Sequence, residues 1–245
     1  MKITVGHLYP DYLNIYADRG NIAVLRERAR VRGHELEVLP IGLGVGVPTG
    51  VDLFYVGGGQ DREQVLVAGD LVTKGPALRD AVGSGAAFLA VCGGYQLLGH
   101  FYRDRAGAEV PGIGLLPLHT IAGERRMIGD VLLECGWAGK TLAGFENHAG
   151  RTYLEAGAEP LGRVLAGHGN DGASGYEGCR SGHVYGTYLH GPLLPRNPWF
   201  ADRLLADALA HRTGEDIELA PLPDELELQA HGVSAERARS RGGRS

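Results

Sequence analysis

The first half of the chain switches repeatedly between two hydrophobic patterns. Short apolar runs at Ile3 to Leu8, Val51 to Val56 and Ala86 to Val91 have the length and composition of buried strands, and Glu35 to Leu39 alternates as a half-buried strand does. Between them lie stretches with helical spacing. From Asn21 to Arg32, Ile22, Leu25 and Ala29 share one face, Arg26, Glu27, Arg30 and Arg32 fill the rest, and Gly33 is placed to end the helix. Helical material also runs from Asp61 to about Val82, with a break expected near Gly75-Pro76, and again from Tyr95 to Phe101. Strands alternating with helices predict an α/β fold, with a mostly parallel central sheet flanked by helices. Such sheets bind ligands beyond the carboxyl ends of their strands. Two glycine-rich turns, Gly57-Gly58-Gly59 and Cys92-Gly93-Gly94, fall at those ends.

From about Pro111 to Leu189 the pattern is richer in strands, at Met127 to Cys135, Leu142 to Asn147 and Val184 to Leu189. A closing helix is expected from Asn197 to Arg212, with Phe200, Leu204 and Ala208 in register. After Gly214 the pattern fades. The expected division is a domain over 1–212 and an extension over 213–245 that is flexible and basic at its end. There Arg237, Arg239, Arg241 and Arg244 stand against a single acid, Glu236, which reads as a disordered solvated tail or, second, as a weak anionic-surface contact. No internal repeat is present.

Composition narrows the class of protein. A length of 245 residues suits one domain with an appendage, and 40 glycines with few aromatics favour many tight strand–helix connections. A net charge of −5 argues against a general nucleic-acid binder. No apolar run approaches the roughly 18–20 residues of a transmembrane segment. Met1 to Val5 passes directly into a strand-like run without the features of a signal peptide, so a cytoplasmic location is expected. The three cysteines, Cys92, Cys135 and Cys179, are odd in number, widely spaced and without a C-x-x-C pair. Neither a disulfide framework nor a structural metal is predicted.

Candidate chemistry concentrates in three places. In Phe88-Leu89-Ala90-Val91-Cys92-Gly93-Gly94-Tyr95-Gln96, a buried strand delivers a cysteine to a sharp turn where a helix begins, which is the logic of a nucleophile elbow. Small residues after the cysteine allow a substrate carbonyl to approach the Gly93 N–H, and a helix N-terminus favours a thiolate. A buried cysteine that only packs at a strand end reads the same way. The Gly57-Gly58-Gly59-Gln60-Asp61 loop can aim a further N–H at the same point and complete an oxyanion hole, or it is a flexible turn. In Tyr185-Gly186-Thr187-Tyr188-Leu189-His190-Gly191-Pro192 a strand ends in a histidine suited to general acid–base work, although nine other histidines compete.

Three patterns do not carry their usual meaning. Gly167-His168-Gly169-Asn170-Asp171-Gly172 matches G-x-G-x-x-G but is followed by Ala173-Ser174-Gly175 instead of a helix, so it is not a dinucleotide site. Gly139-Lys140-Thr141 resembles the end of a phosphate loop, but the required first glycine is Glu134. No G-x-S-x-G serine elbow occurs.

Taken together, Cys92-Gly93-Gly94-Tyr95-Gln96-Leu97-Leu98-Gly99 and Gly186-Thr187-Tyr188-Leu189-His190-Gly191 resemble the class I glutamine amidotransferases of the cobyric-acid-synthase-like branch. Three further segments are similar to the glutamine amidotransferase subunits of lipid II isoglutaminyl synthases. These are Pro10 to Asn21, Gly57 to Gln64 and Gly144-Phe145-Glu146-Asn147-His148-Ala149-Gly150-Arg151-Thr152. The resemblance implies a flavodoxin-like class I amidotransferase fold and hydrolysis of L-glutamine to glutamate and ammonia. It implies a heterodimer with a Mur-ligase-like synthetase that would hold the ATP and Mg, this chain needing no cofactor. That partner would amidate the α-carboxylate of D-glutamate in the lipid II stem peptide, near the inner face of the membrane.

By position, the resemblance makes Cys92 the nucleophile, His190 its general base, Arg126 the substrate-binding arginine and Gln96 a residue near the substrate. Arg125 competes with Arg126. Gly93 with Gly58 or Gly59 would form the oxyanion hole. One departure stands out. The family's usual acid, two residues after the histidine, is Pro192 here. The resemblance implies that an aspartate of the synthetase takes this place, with Glu146 the competitor within the chain. Rival readings are a cobyrinic or cobyric acid amidation subunit and a catalytically inactive binding module.

Overall fold

The computed structural model describes residues 1–14 and 19–242. Residues 15–18, within the Pro10–Asn21 segment, and Arg244 of the basic tail lie outside the described residues. The elements in chain order are β1 (Lys2–Leu8), α1 (Arg19–Val31), β2 (Glu35–Ile41), β3 (Leu53–Val56), α2 (Asp61–Gly83), β4 (Ala87–Val91), α3 (Gly93–Leu98), β5 (Phe101–Arg103), β6 (Glu109–Pro111), β7 (Leu118–Cys135), β8 (Lys140–Leu154), β9 (Gly162–Ala166), β10 (Tyr176–Glu177), β11 (Cys179–Ser181), β12 (Val184–Thr187), α4 (Pro198–Thr213) and α5 (Glu225–Gly242).

The central sheet has the order β11-β12-β4-β3-β1-β2, and every pairing except β11 with β12 is parallel. This is the expected parallel sheet flanked by helices. Of its inner strands, β12, β4 and β3 are buried along their whole length and β1 beyond Lys2, as a sheet covered on both faces requires. Pro40, which cannot donate to a ladder, sits in β2 at the sheet's edge. A second sheet, ordered β10-β9-β7-β5-β6 with β8 on β7, is built around the long β7–β8 hairpin and is mostly antiparallel. It contains the strands expected at Met127 to Cys135 and Leu142 to Asn147 and extends both well beyond those bounds, whereas the strand expected at Val184 to Leu189 is β12 of the central sheet and ends at Thr187.

Three expectations are corrected. The helix expected to break near Gly75-Pro76 continues through it as α2. Pro76 lies on the exposed face, where the carbonyl that loses its donor can be hydrated, and Gly75 packs closely against Ile113. The helix expected to reach Phe101 ends at Leu98, and Phe101 opens β5. After Gly214, where a fading pattern predicts no regular element, α5 packs on the second sheet. Among the described residues its buried side chains are Ala235 and Ala238, which meet Leu132, Ala143 and Ala166 and leave little hydrophobic periodicity to read. Arg28 of α1 clamps the start of this region, bonding Asp224 at 2.6 Å and Asp202 of α4 at 2.6 Å from a nearly buried position.

Candidate active site

Cys92 stands between the last residue of β4 and the first of α3, with φ 51° and ψ −109°. Only Tyr9 shares a positive φ among the described non-glycine residues. Such a conformation costs on the order of 1–3 kcal/mol and persists where its surroundings impose it. Here the Cys92 N–H donates to Thr187 O at 2.8 Å and its carbonyl accepts from Gln96 N at 3.0 Å. The next two positions have no space for a side chain. A Cβ on Gly94 would lie 2.8 Å from Gly57 O, and one on Gly93 would lie 2.6 Å from Gln64 Nε2 and 3.1 Å from Gly59 N. The two glycine turns noted in the sequence therefore touch, and Gly94 N donates to Gly57 O at 3.2 Å. As the first residue of α3, Gly93 has an N–H outside the helix's own ladder.

His190 follows the neighbouring strand. Thr187 of β12 pairs in parallel with Val91 of β4, so the residues after each strand emerge at the same end of the sheet. His190 is fully buried and is fixed by two backbone bonds to Phe145 of β8, at 2.8 and 3.3 Å. Pro192, where an acid is expected, packs instead against Gly20 of α1.

Glu146, the acid competing within the chain, is turned elsewhere. Its carboxylate accepts His168 N and His168 Nδ1, both at 2.7 Å, and Gly169 N at 3.0 Å, and its Oε2 lies 3.7 Å from His148 Nε2. The Gly167–Gly172 segment thus uses its glycines and backbone N–H groups to cradle a buried side-chain carboxylate. Burial pushes the Glu146 carboxyl up, but the nearby His148 ring and the bonds from His168 outweigh it and hold the group below the usual carboxylate range. Burial also lowers His148, against the opposing pull of Glu146, which favours the neutral ring. That ring lies flat on Tyr188, with centroids 3.5 Å apart.

A pocket of about 770 Å³ opens over these elements, within the range of small-molecule sites. Cys92, Gln96, Gly59, Gln64, Arg126 and His148 line it. His190 lies outside this lining, one strand away. Gln96 Nε2 donates to Tyr188 Oη at 3.0 Å and passes so close to Gly150 that a Cβ there would lie 2.3 Å from it.

Arg126 reaches the pocket through an irregularity in β7. Ala122 pairs with Gly150 and Met127 with His148, so the four residues between them stand opposite Ala149 alone. The Arg126 guanidinium is then held by Asn147, with Nε 2.8 Å from Oδ1 and Nη2 3.0 Å from O. Arg125 offers its carbonyl to Arg151 instead.

Sequence reasoning gave no role to Gln64, Asn147, His148 or Glu177. The first three lie inside quoted motifs. Glu177 carried no local signal, because its contacts are ten and eleven residues away along the chain. Cys135 and Cys179 are buried and pushed up to about 12 by desolvation, which makes them unreactive at neutral pH.

This parallel sheet, with a cysteine on a strained turn at its carboxyl end, has the fold of the class I glutamine amidotransferases. Residues 4–198 match the CobB/CobQ-like glutamine amidotransferase domain, and the chain belongs to that family. It is 40% identical to the lipid II isoglutaminyl synthase (glutamine-hydrolyzing) subunit GatD of Staphylococcus aureus, over 97% of this chain and 96% of that one. The subunit of the same name from Streptococcus pneumoniae is 37% identical over 92% of this chain and 87% of that one. A cobyric acid synthase from Pelotomaculum thermopropionicum is 40% identical over 47% of this chain but only 25% of its own length. A chain in the structure of PurLQS from Thermotoga maritima has the same fold, with a TM-score of 0.56, 15% identity and coverage of 98% of this chain and 99% of that one.

Proposed function

We propose that this chain hydrolyses L-glutamine as the ammonia-supplying subunit of a lipid II isoglutaminyl synthase. The observation that carries the reading is the meeting of Cys92, the Gly57–Gly59 loop and Arg126 around one pocket. Similarity along nearly the full length of two subunits of that name supports the substrate class. Cobyric acid synthases match over about a quarter of their length, which favours the cell-wall reading over the cobyric one.

In this mechanism Arg126 clamps the α-carboxylate of glutamine, with Gln96 beside the substrate. Cys92 Sγ attacks the γ-amide carbonyl while His190 takes the thiol proton. The N–H groups of Gly93 and of Gly58 or Gly59 hold the oxyanion. His190 then passes its proton to the departing ammonia and leaves a thioester. It next takes a proton from water as the hydroxide attacks, and the thioester collapses to glutamate and free Cys92.

The partner would be a Mur-ligase-like synthetase holding ATP and Mg. It would use the ammonia to convert D-glutamate of lipid II to D-isoglutamine at the inner face of the membrane. No described helix is long and apolar enough to cross a membrane, so membrane proximity would come through the partner and its substrate. Two features support assembly. The position expected to hold the third triad acid is Pro192, and a partner carboxylate would fill that role. The exposed face of α2 next to the pocket runs through Val65, Leu66, Gly69, Val72 and Pro76 without a charged side chain.

The test is ammonia release from glutamine by the complex co-purified with that synthetase, with ATP and Mg present. Release that disappears in Cys92→Ala is expected. No release from the intact complex would favour an inactive binding module. Labelling by 6-diazo-5-oxo-norleucine that survives Cys92→Ala would move the nucleophile elsewhere.

A further inference from the structure

The turn that carries His190 is tied to an acid from outside the reactive pair. Glu177 of β10 is fully buried. Its carboxyl Oε1 accepts the Tyr188 N–H at 2.6 Å, and both its oxygens lie 3.0 Å from Thr187 Oγ1. Thr187 Oγ1 accepts the Leu189 N–H at 3.1 Å. One carboxyl therefore holds the three residues that immediately precede His190. The same Thr187 gives its carbonyl to the Cys92 N–H, so the two halves of the reactive pair share an anchor one residue wide.

We propose that Glu177 is a positioning residue for glutamine hydrolysis, fixing the Thr187–Leu189 turn so that His190 is presented to Cys92. The inference rests on the roles assigned to Cys92 and His190 above. An isolated buried carboxyl in this place would be costly, and the fold retains it where a backbone must leave a strand and turn at once. The side chains of Thr187 and Glu177 supply the hydrogen bonds that β12 loses as it leaves the sheet. Burial pushes Glu177 up to about 8 despite the bonds from Tyr188 and Thr187, with Glu146 adding repulsion and His190 opposing it. At neutral pH the group is mostly the neutral acid, whose Oε1 accepts from both the Tyr188 N–H and the Thr187 hydroxyl. Glutamine reproduces both functions.

The binding groups for glutamine sit elsewhere. Arg126 is held by Asn147 on the β7–β8 hairpin. The Tyr188 ring is held independently by Gln96, Thr152 and His148. A loosened His190 turn therefore damages the chemical step more than binding.

The experiment measures kcat and KM for ammonia release by the folded synthetase complex carrying wild type, Glu177→Ala, Glu177→Gln or Thr187→Val. Expected for Glu177→Ala and Thr187→Val is a fall in kcat of about tenfold or more with KM changed by less than about threefold, since only positioning of the reacting groups is lost. Glu177→Gln should stay within about threefold of wild type in both constants. If Glu177→Ala does not fold, Thr187→Val and Glu177→Gln carry the test. The proposal is overturned if a folded Glu177→Ala or Thr187→Val keeps its kcat, or if KM alone rises. It is also overturned if Glu177→Gln is as impaired as Glu177→Ala, because charge and not position would then be the agent. A silent wild-type complex overturns the hydrolase reading itself, whereas an active wild type with unaffected variants overturns only the role of Glu177.

Discussion

The Cys92 N–H donates to the carbonyl of Thr187 at 2.8 Å, so the strained turn is held by the strand that leads to His190. Neighbouring parallel strands end level with each other, and the residues just beyond them are brought together by sheet register. The left-handed conformation of Cys92 is imposed by this bond and by α3, at a cost to stability.

That cost can be measured. Glycine adopts a positive φ without strain, so Cys92→Gly should abolish ammonia release yet leave thermal stability equal to or above wild type, by about 1 kcal/mol. Cys92→Ala keeps the Cβ and with it the strain, and should not show that gain. Calorimetry of the two variants side by side separates them. A marked loss of stability in Cys92→Gly would mean that the turn is not strained.

The glycine after Cys92 gives the complementary prediction. A methyl group on Gly93 meets Gln64 and the Gly59 backbone together. Gly93→Ala should therefore force the two turns apart and cut ammonia release by about a hundredfold, the scale of losing one oxyanion donor. Gly129 has open space around its Cβ position, so Gly129→Ala is the control and should retain activity. Equal activity in the two would show that the contact between the turns is not part of the site.

Much of this site was legible because its parts are short and local. A buried strand followed by Cys-Gly-Gly, a glycine triplet after another strand, and a strand ending in histidine each occupy a few consecutive residues. Sheet register then sets the ends of these adjacent parallel strands at one side of the sheet. What was not legible depended on distant contacts. Glu177 acquires its role from Thr187 and Tyr188 across a loop, and the Gly167–Gly172 segment from Glu146, twenty-two and twenty-three residues from its donors. Helix α5 was missed because its buried positions are alanines. Pro76 misled because a long helix packed elsewhere along its length can carry a proline on its exposed face, where the freed carbonyl meets water, despite the lost hydrogen bond and the ring clash. The Arg125–Arg126 ambiguity could not be resolved by pattern at all, since it turns on an irregular stretch of β7 that aims one arginine at Asn147.

Arg126 should act on binding more than on turnover. Its guanidinium bonds Asn147 through both Nε and Nη2, and lysine cannot reproduce that fork. Arg126→Lys is expected to raise KM for glutamine by about tenfold with kcat nearly unchanged, and Arg125→Lys to leave both alone. The reverse ranking would exchange their roles.

Two buried acids set opposite limbs of the pH–stability curve. Glu146 is held below its ordinary value of 4.5 by His148 and His168. Its contribution is present above that pH and is lost as pH falls through the folded value, where the native state must take up the proton. Glu177 is pushed up to about 8 from 4.5, so the folded state binds a proton that the unfolded state has already lost. Its contribution is full below 4.5 and is lost as pH rises toward about 8. Glu146→Gln should therefore flatten the acid limb of melting temperature against pH, and Glu177→Gln the alkaline limb. The same limb flattened by both variants, or neither limb changed, would contradict these assignments.

The exposed face of α2 tests assembly directly. Asp70 and Lys74 are the only charged residues from Val65 to Leu78, and they pair with each other, Asp70 also bonding Tyr9 at 2.7 Å. This leaves Val65, Leu66, Gly69 and Val72 to face solvent, a concentration of apolar surface that a monomer normally avoids. A carboxylate placed there costs the isolated chain little, because nothing packs over it, but it would be desolvated under a partner. Leu66→Asp is expected to leave the melting temperature of the chain within about 1–2 °C of wild type, the range of a neutral surface change. It should weaken co-purification with the synthetase by at least about tenfold, the equivalent of 1.4 kcal/mol. Undiminished co-purification would place the partner on another face, and a large loss of melting temperature would show that Leu66 supports the fold of this chain.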